Sequence, residues 1–154
     1  MPPGGAWAFG VNTAAAADVA AQRAAERRAV GFLAFDFGLR RVGVATGNAV
    51  SRSATPLATI AAVGDARFAA IDRLVAEWKP DALVVGIPRH PDGAAHENTL
   101  RAARFARQLG ARYRLAVHEV DERYSTVEAA ARGARDLDAA AAAIILEQFL
   151  GALE

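Results

Sequence analysis

The sequence contains no cysteine, and among its 18 basic residues only Lys79 is a lysine. Without thiols, a disulfide framework, a cysteine nucleophile and a thiolate metal site are all excluded, so any metal must be held by oxygen or imidazole. No apolar run approaches the roughly 20 residues that span a bilayer, which excludes a membrane-spanning helix. Met1 to Ala20 lack the basic start and leucine-rich centre of a secretory signal. These absences point to a soluble protein of the reducing cytoplasm. A strong charge imbalance is lacking too: the formal net charge is +1. Wrapping of nucleic acid by bulk charge is thereby excluded, and any phosphate-binding surface must be local. Arginine in place of lysine suits bidentate phosphate contacts, although a genomic codon bias explains the preference as readily.

What is present suffices for one domain, since a chain of 154 residues buries about 70% of its unfolded surface. Residues 1–29 read as an N-terminal extension, disordered or loosely helical. Met1 to Gly10 mix proline and glycine without periodicity, and Thr13 to Arg28 are alanine-rich with an acidic start and a basic end. The compact domain covers 30–154. Phe32 to Phe35 form a buried strand that ends in Asp36 and Gly38, and Val42 to Thr46 form a second. Gly47-Asn48 signals a hairpin, followed by a strand over Ser53 to Ile60 that Pro56 pushes to a sheet edge.

Phe68, Ile71, Leu74, Val75 and Trp78 recur at helical spacing and stop before Pro80, which predicts a helix with Trp78 in the core. Strands over Ala82 to Gly86 and Leu115 to Val120 enclose a helix over Ala95 to Leu109 that Gly110 closes. Ser125 and Glu128 form a capping box for a short helix. A last helix runs from Leu137 to Leu150, with its alanines and Phe149 toward the sheet. The expected fold is α/β: a mixed five-stranded sheet, three antiparallel meander strands plus two further strands, flanked by helices on both faces.

Three carboxylates end these elements. Asp36 closes the first strand beside Gly38, whereas Gly43 inside the second strand signals a close backbone approach. Asp121 and Glu122 follow the fifth strand, and alternation sends them to opposite faces, so one of the two joins Asp36. Asp136 is a natural N-cap for the last helix, and Asp138 lies in its first turn. Each position has an ordinary explanation as turn, solvated loop or cap. Gathered at one sheet edge, they would repel one another without a cation, and hard Mg²⁺ or Mn²⁺ prefers such oxygens. Two ions of this kind perform phosphodiester hydrolysis. His90, His96 and His118 have no zinc-site spacing, and Ser125 has no neighbouring base. Candidates for phosphate contact are Arg40, Arg41 and Arg123, beside the carboxylates, and the helical stripe of Arg101, Arg104 and Arg107.

Four blocks in order resemble the YqgF family of the ribonuclease-H-like superfamily. They are Ala34-Phe35-Asp36-Phe37-Gly38 with Arg41-Val42-Gly43-Val44-Ala45; Val84-Val85-Gly86-Ile87-Pro88 with Asp92-Gly93; Asp121-Glu122-Arg123-Tyr124-Ser125-Thr126-Val127-Glu128-Ala129; and Asp138-Ala139-Ala140-Ala141-Ala142-Ala143-Ile144-Ile145-Leu146. The resemblance implies a ribonuclease-H-like fold and a Mg²⁺-dependent nuclease with Asp36, Glu122 and Asp138 as metal ligands and catalytic residues, with Asp121 the alternative second ligand. It implies cytoplasmic work on the 5′ end of pre-16S ribosomal RNA, with ribosomal particles as partners, or on branched DNA such as Holliday junctions. Two departures stand out: a short segment before Asp138 without the family's lysine-bearing loop, and alanine where serine often follows the aspartate. Two other readings compete, an ATP-binding module of the sugar-kinase and actin kind, which needs two lobes, and a nonenzymatic RNA-binding domain, which would tolerate loss of the carboxylates.

Overall fold

The computed structural model describes residues 29–89, 97–123 and 133–153. The N-terminal extension up to residue 28, His90, His96 and the capping box at Ser125 and Glu128 lie outside the described residues. The elements are β1 (Gly31–Phe37), β2 (Val42–Asn48), β3 (Ser53–Ile60), α1 (Gly64–Trp78), β4 (Ala82–Arg89), α2 (Glu97–Tyr113), β5 (Val117–Arg123) and α3 (Leu137–Gly151). The sheet order is β3-β2-β1-β4-β5. The β1–β2 and β2–β3 pairs are antiparallel, whereas β4 pairs with β1 and β5 in parallel. This is the mixed five-stranded sheet expected from the sequence, with Pro56 on the edge strand β3, where a missing N–H does least harm.

β1 is central because it is apolar on both sides: Phe32, Leu33, Ala34 and Phe35 are all buried. Its start is tied to the β4 entrance by Asp81, whose Oδ2 accepts from the backbone N–H of Val30 (3.0 Å) and Gly31 (2.8 Å). Those two bonds hold the Asp81 carboxyl below its ordinary pKa.

Alternation along the strands divides the core into two clusters. Leu33, Phe35, Val42, Val44, Leu83, Val85 and Ile87 face α1 and α2, where Phe105 stacks edge-on to Phe35 with ring centroids 6.0 Å apart. Phe32, Ala34, Ala82 and Val84 face α3, whose Ala141, Ile145, Leu146 and Leu150 cover them. Phe149 is half-buried on this side, edge-on to Phe32 at 5.2 Å and against the half-buried His118 ring at 4.8 Å.

Several sequence expectations need correction. Trp78 is 43% exposed, not core. By angle it shares a side with the fully buried Ile71, but it sits two turns further on, in the last turn of the helix. Gly110 does not close its helix: α2 runs on to Tyr113, and the chain reverses at Arg114, with φ of 54°. A Cβ on Gly110 would come within 3.3 Å of Val117, so its smallness serves the approach of β5. The β2–β3 turn falls after Gly47-Asn48, and Asn48 caps it by accepting from Val50 N–H at 2.7 Å. Finally, β5 continues through Arg123, which places Asp121 and Glu122 inside a strand.

Candidate active site

Asp36 sits near the C-terminal end of β1, with Gly43 of β2 and Gly86 of β4 as its two register partners. Neither neighbour carries a side chain, and each gap admits something specific. A Cβ on Gly43 would lie 1.9 Å from the Asp138 carbonyl oxygen, so only glycine lets the first turn of α3 press onto the sheet there. A Cβ on Gly86 would meet Ile145 at 2.5 Å and the Glu122 Cδ at 3.2 Å. The close approach expected at Gly43 is thus present, and Gly86 provides a second on the other flank of Asp36.

Glu122 is paired in register with Pro88, and alternation puts it on the α3 side of the sheet. It is 4% exposed, and its Oε2 has no hydrogen-bond partner among the described residues. Asp121 is exposed on the opposite side. Burial, and then the negative charge of Asp36, push the Glu122 carboxyl up to about 8. Burial, and then Asp138, push Asp36 up to about 7. A buried Glu122 carboxylate with an orphaned oxygen, next to the half-buried Asp36, is costly unless the pair holds a proton or a cation.

Asp138 enters from α3. Asp136 is the helix N-cap, accepting from Ala139 N–H at 3.2 Å, and the Thr59 hydroxyl donates to the same carboxylate oxygen, which fastens the helix start to β3. Two residues further on, Asp138 pairs with Arg41, Nε to Oδ2 3.1 Å. Its charge reaches Asp36, while its carboxylate is engaged by arginine. Among the described residues no group of three or more histidine, aspartate or glutamate side chains is gathered as a ready metal cage. The donor set nevertheless fits a hard divalent ion: a carboxylate pair with one unpartnered oxygen, and a third carboxylate held in reserve by a cation.

Gly38, Leu39, Arg40, Arg41, Ala61 and Asp138 line an open cleft of about 580 Å³ beside this centre. Arg41 also borders a second cleft that includes Arg135. Arg101 and Arg104 ride on α2, across the sheet from Asp36, and Arg101 is paired with Glu97 one turn away. Arg123 closes β5 next to Glu122. Sequence reasoning passed over Gly86 and Arg67. The second had a signal: Arg67 stands four residues before Ile71, on the stripe that α1 buries.

A five-stranded mixed sheet of this order, flanked by helices, has the ribonuclease-H-like fold, and it carries acidic residues on β1 and β5, on either side of β4, and a third at the start of the covering helix. The solved structure of Thermus thermophilus RuvC matches with a TM-score of 0.51 at 13% identity, covering 78% of this chain and 93% of that one. The same protein in complex with a Holliday junction substrate matches with a TM-score of 0.50 at 14% identity, over 80% and 94%. At such identities the likeness is one of fold. Residues 30–152 match the family model described as "RuvX: Holliday junction resolvase", and the chain belongs to this family, the one its motifs resemble. A relative from Polaromonas sp. is 70% identical over 79% of this chain and 88% of its own length. Another, from Burkholderia thailandensis, is 53% identical over 84% and 94%. Both bear the name "Putative pre-16S rRNA nuclease". The chain is therefore a nuclease of this family, a phosphodiester hydrolase. The ATP-binding reading needs two lobes, whereas the described residues form one five-stranded sheet.

Proposed function

We propose that the protein is a Mg²⁺- or Mn²⁺-dependent nuclease that acts in the cytoplasm in maturation of the 5′ end of pre-16S ribosomal RNA, with branched DNA as the alternative substrate. The observation that carries the metal dependence is the buried Glu122 beside Asp36, its Oε2 without a hydrogen-bond partner among the described residues. Asp36 and Glu122 would hold the cation, with Asp138 completing the set once Arg41 turns from it. When bound, such an ion supplies Lewis acidity toward a phosphoryl oxygen and lowers the pKa of a coordinated water.

The chain's own residues do the rest. Arg40 and Arg41, exposed at the cleft mouth, contact phosphate oxygens and set the register of the substrate. Arg123 is a further phosphate contact, and Arg101 and Arg104 are more remote ones. Release of Arg41 from Asp138 frees an anionic ligand and a phosphate-binding cation in one movement. At neutral pH without metal, the Asp36–Glu122 pair retains a proton, which relieves repulsion inside the sheet edge.

Ribosomal RNA precursor is placed before branched DNA because relatives at 53% and 70% identity carry the former name, whereas branched DNA is supported by the description of the family model and by a solved junction complex that is only 14% identical. Ribosomal particles are the natural carriers of that substrate. A nuclease domain beginning near residue 30 agrees with the span of the family match. Purified protein incubated with a pre-16S fragment, a four-way DNA junction and a linear strand, each with Mg²⁺, Mn²⁺ or chelator, tests the proposal. Metal-dependent cutting of the RNA is expected. Cutting of the junction alone would move the substrate to DNA, and equal cutting in chelator would remove the metal.

A further inference from the structure

Arg67 of α1 is buried, 6% exposed as a residue. Among the described residues no carboxylate pairs with it. Its Nε donates to the Ala62 carbonyl at 2.8 Å and its Nη2 to the Leu39 carbonyl at 3.1 Å, and its plane lies over the Phe37 ring, 5.5 Å from the centroid. Phe37 and Leu39 bracket Gly38 immediately after Asp36, and Leu39 immediately precedes Arg40 and Arg41. The turn is already tight, since a Cβ on Gly38 would lie 2.6 Å from the Arg41 carbonyl oxygen.

We propose that Arg67 is a positioning residue for the nucleic-acid-binding loop, its forked guanidinium fixing residues 38–41 against the linker before α1 so that Arg40 and Arg41 stand ready at the cleft. The inference rests on the reading of Arg40 and Arg41 as phosphate contacts. Physical economy supports it. Burying a cation with no countercharge is expensive, and the cost lowers its pKa through desolvation. An apolar side chain of similar length would fill the space without that cost. What it could not do is satisfy two carbonyls, one on each side of the gap, with donors in a fixed plane. Ordering the loop before substrate arrives removes an entropic cost from binding. The bond-breaking step itself is untouched, because Arg67 points to backbone rather than to the carboxylates.

The test uses the full chain and a fluorescently labelled pre-16S RNA fragment, with a labelled four-way DNA junction in parallel. Binding is measured by anisotropy in chelator and cleavage with Mg²⁺. Arg67→Met is expected to raise Kd and KM about tenfold while kcat stays within about twofold, a loss of pre-organised binding rather than of chemistry. The slope of log Kd against log salt should shrink by about one for each phosphate that is no longer engaged. Arg67→Lys keeps the charge but can serve the two carbonyls less well, so it should fall between Arg67→Met and the wild type, and it decides the matter if Arg67→Met does not fold. Arg73→Gln, an exposed arginine of the same helix, removes equal charge and should behave as wild type. Unchanged Kd in both Arg67 variants, a fall in kcat alone, or equal weakening by Arg73→Gln would overturn the proposal. Failure of the metal reading would show as cleavage in chelator and leave these binding comparisons standing.

Discussion

The two faces of the sheet are built on opposite rules. The face under α1 and α2 is filled by large side chains, with Leu33, Phe35, Val42, Val44, Leu83, Val85 and Ile87 against Ile71, Phe105 and Leu109. The face under α3 is thinned out toward the carboxylates, where Ala45 meets Ala142 and Ala143, Gly43 meets the backbone of Asp138 and Ala139, and Gly86 admits Ile145. The first face supplies apolar burial, which stabilises wherever volume is filled. The second gives up volume so that the start of α3 can lie on the sheet, and it ends in the half-buried Asp36 and the buried Glu122. On the proposed function the carboxylates that act lie on the second side and the larger side chains on the first, and substitutions should separate the two.

The largest effect is expected on the packed face. Phe35→Ala should cost about 3–5 kcal/mol of folding stability, read by chemical denaturation, while any protein that remains folded keeps its metal response. On the thinned face the effects should fall on activity instead. Asp36→Asn and Glu122→Gln should each lower cleavage by about a hundredfold or more, since an amide preserves shape but withholds charge from a cation. Asp138→Asn should do the same, whereas Asp121→Asn, exposed on the other side, should be mild. If Asp121→Asn abolished cleavage and Glu122→Gln spared it, the assignment of the second ligand would be reversed.

Gly43→Ala sharpens the comparison, because one methyl group set against the Asp138 carbonyl must push α3 off the sheet. A loss of about 1–3 kcal/mol is expected, with cleavage falling further than stability alone explains. A smaller effect concerns pH. Asp36 and Glu122 have folded pKa values of about 7 and about 8, above their ordinary 3.8 and 4.5. Through that window the folded protein binds more protons than the unfolded one, so the contribution is fully present in acid and lost as pH rises. Melting temperature in chelator should therefore fall from mildly acidic to mildly alkaline pH, and Glu122→Gln should flatten the fall.

Much of this was legible in the sequence, and the limits are informative. β1, the meander and the order of helices follow from apolar periodicity, and Asp36 was visible because it ends an apolar run before a glycine. Strand alternation separated Glu122 from Asp121 with no coordinates. The extent of β5 was not visible, since Asp121-Glu122-Arg123 is a polar run that reads as loop until the parallel pairing to Ile87, Pro88 and Arg89 is known. The same holds for Gly86 and for the pairing of Arg41 with Asp138, which depend on contacts between distant segments. Trp78 failed for a different reason: helical period gives the angle of a side chain but not where the sheet beneath it ends.

The central claim is that the Asp36–Glu122 pair is a cation site, and thermal melting across a Mg²⁺ or Mn²⁺ titration at neutral pH tests it most directly. The wild type should gain stability with metal in the manner of any ligand that binds only the folded state. Asp36→Asn and Glu122→Gln should melt no lower than wild type in chelator and should gain nothing from metal. A wild type indifferent to both ions, or variants that respond as it does, would contradict the account.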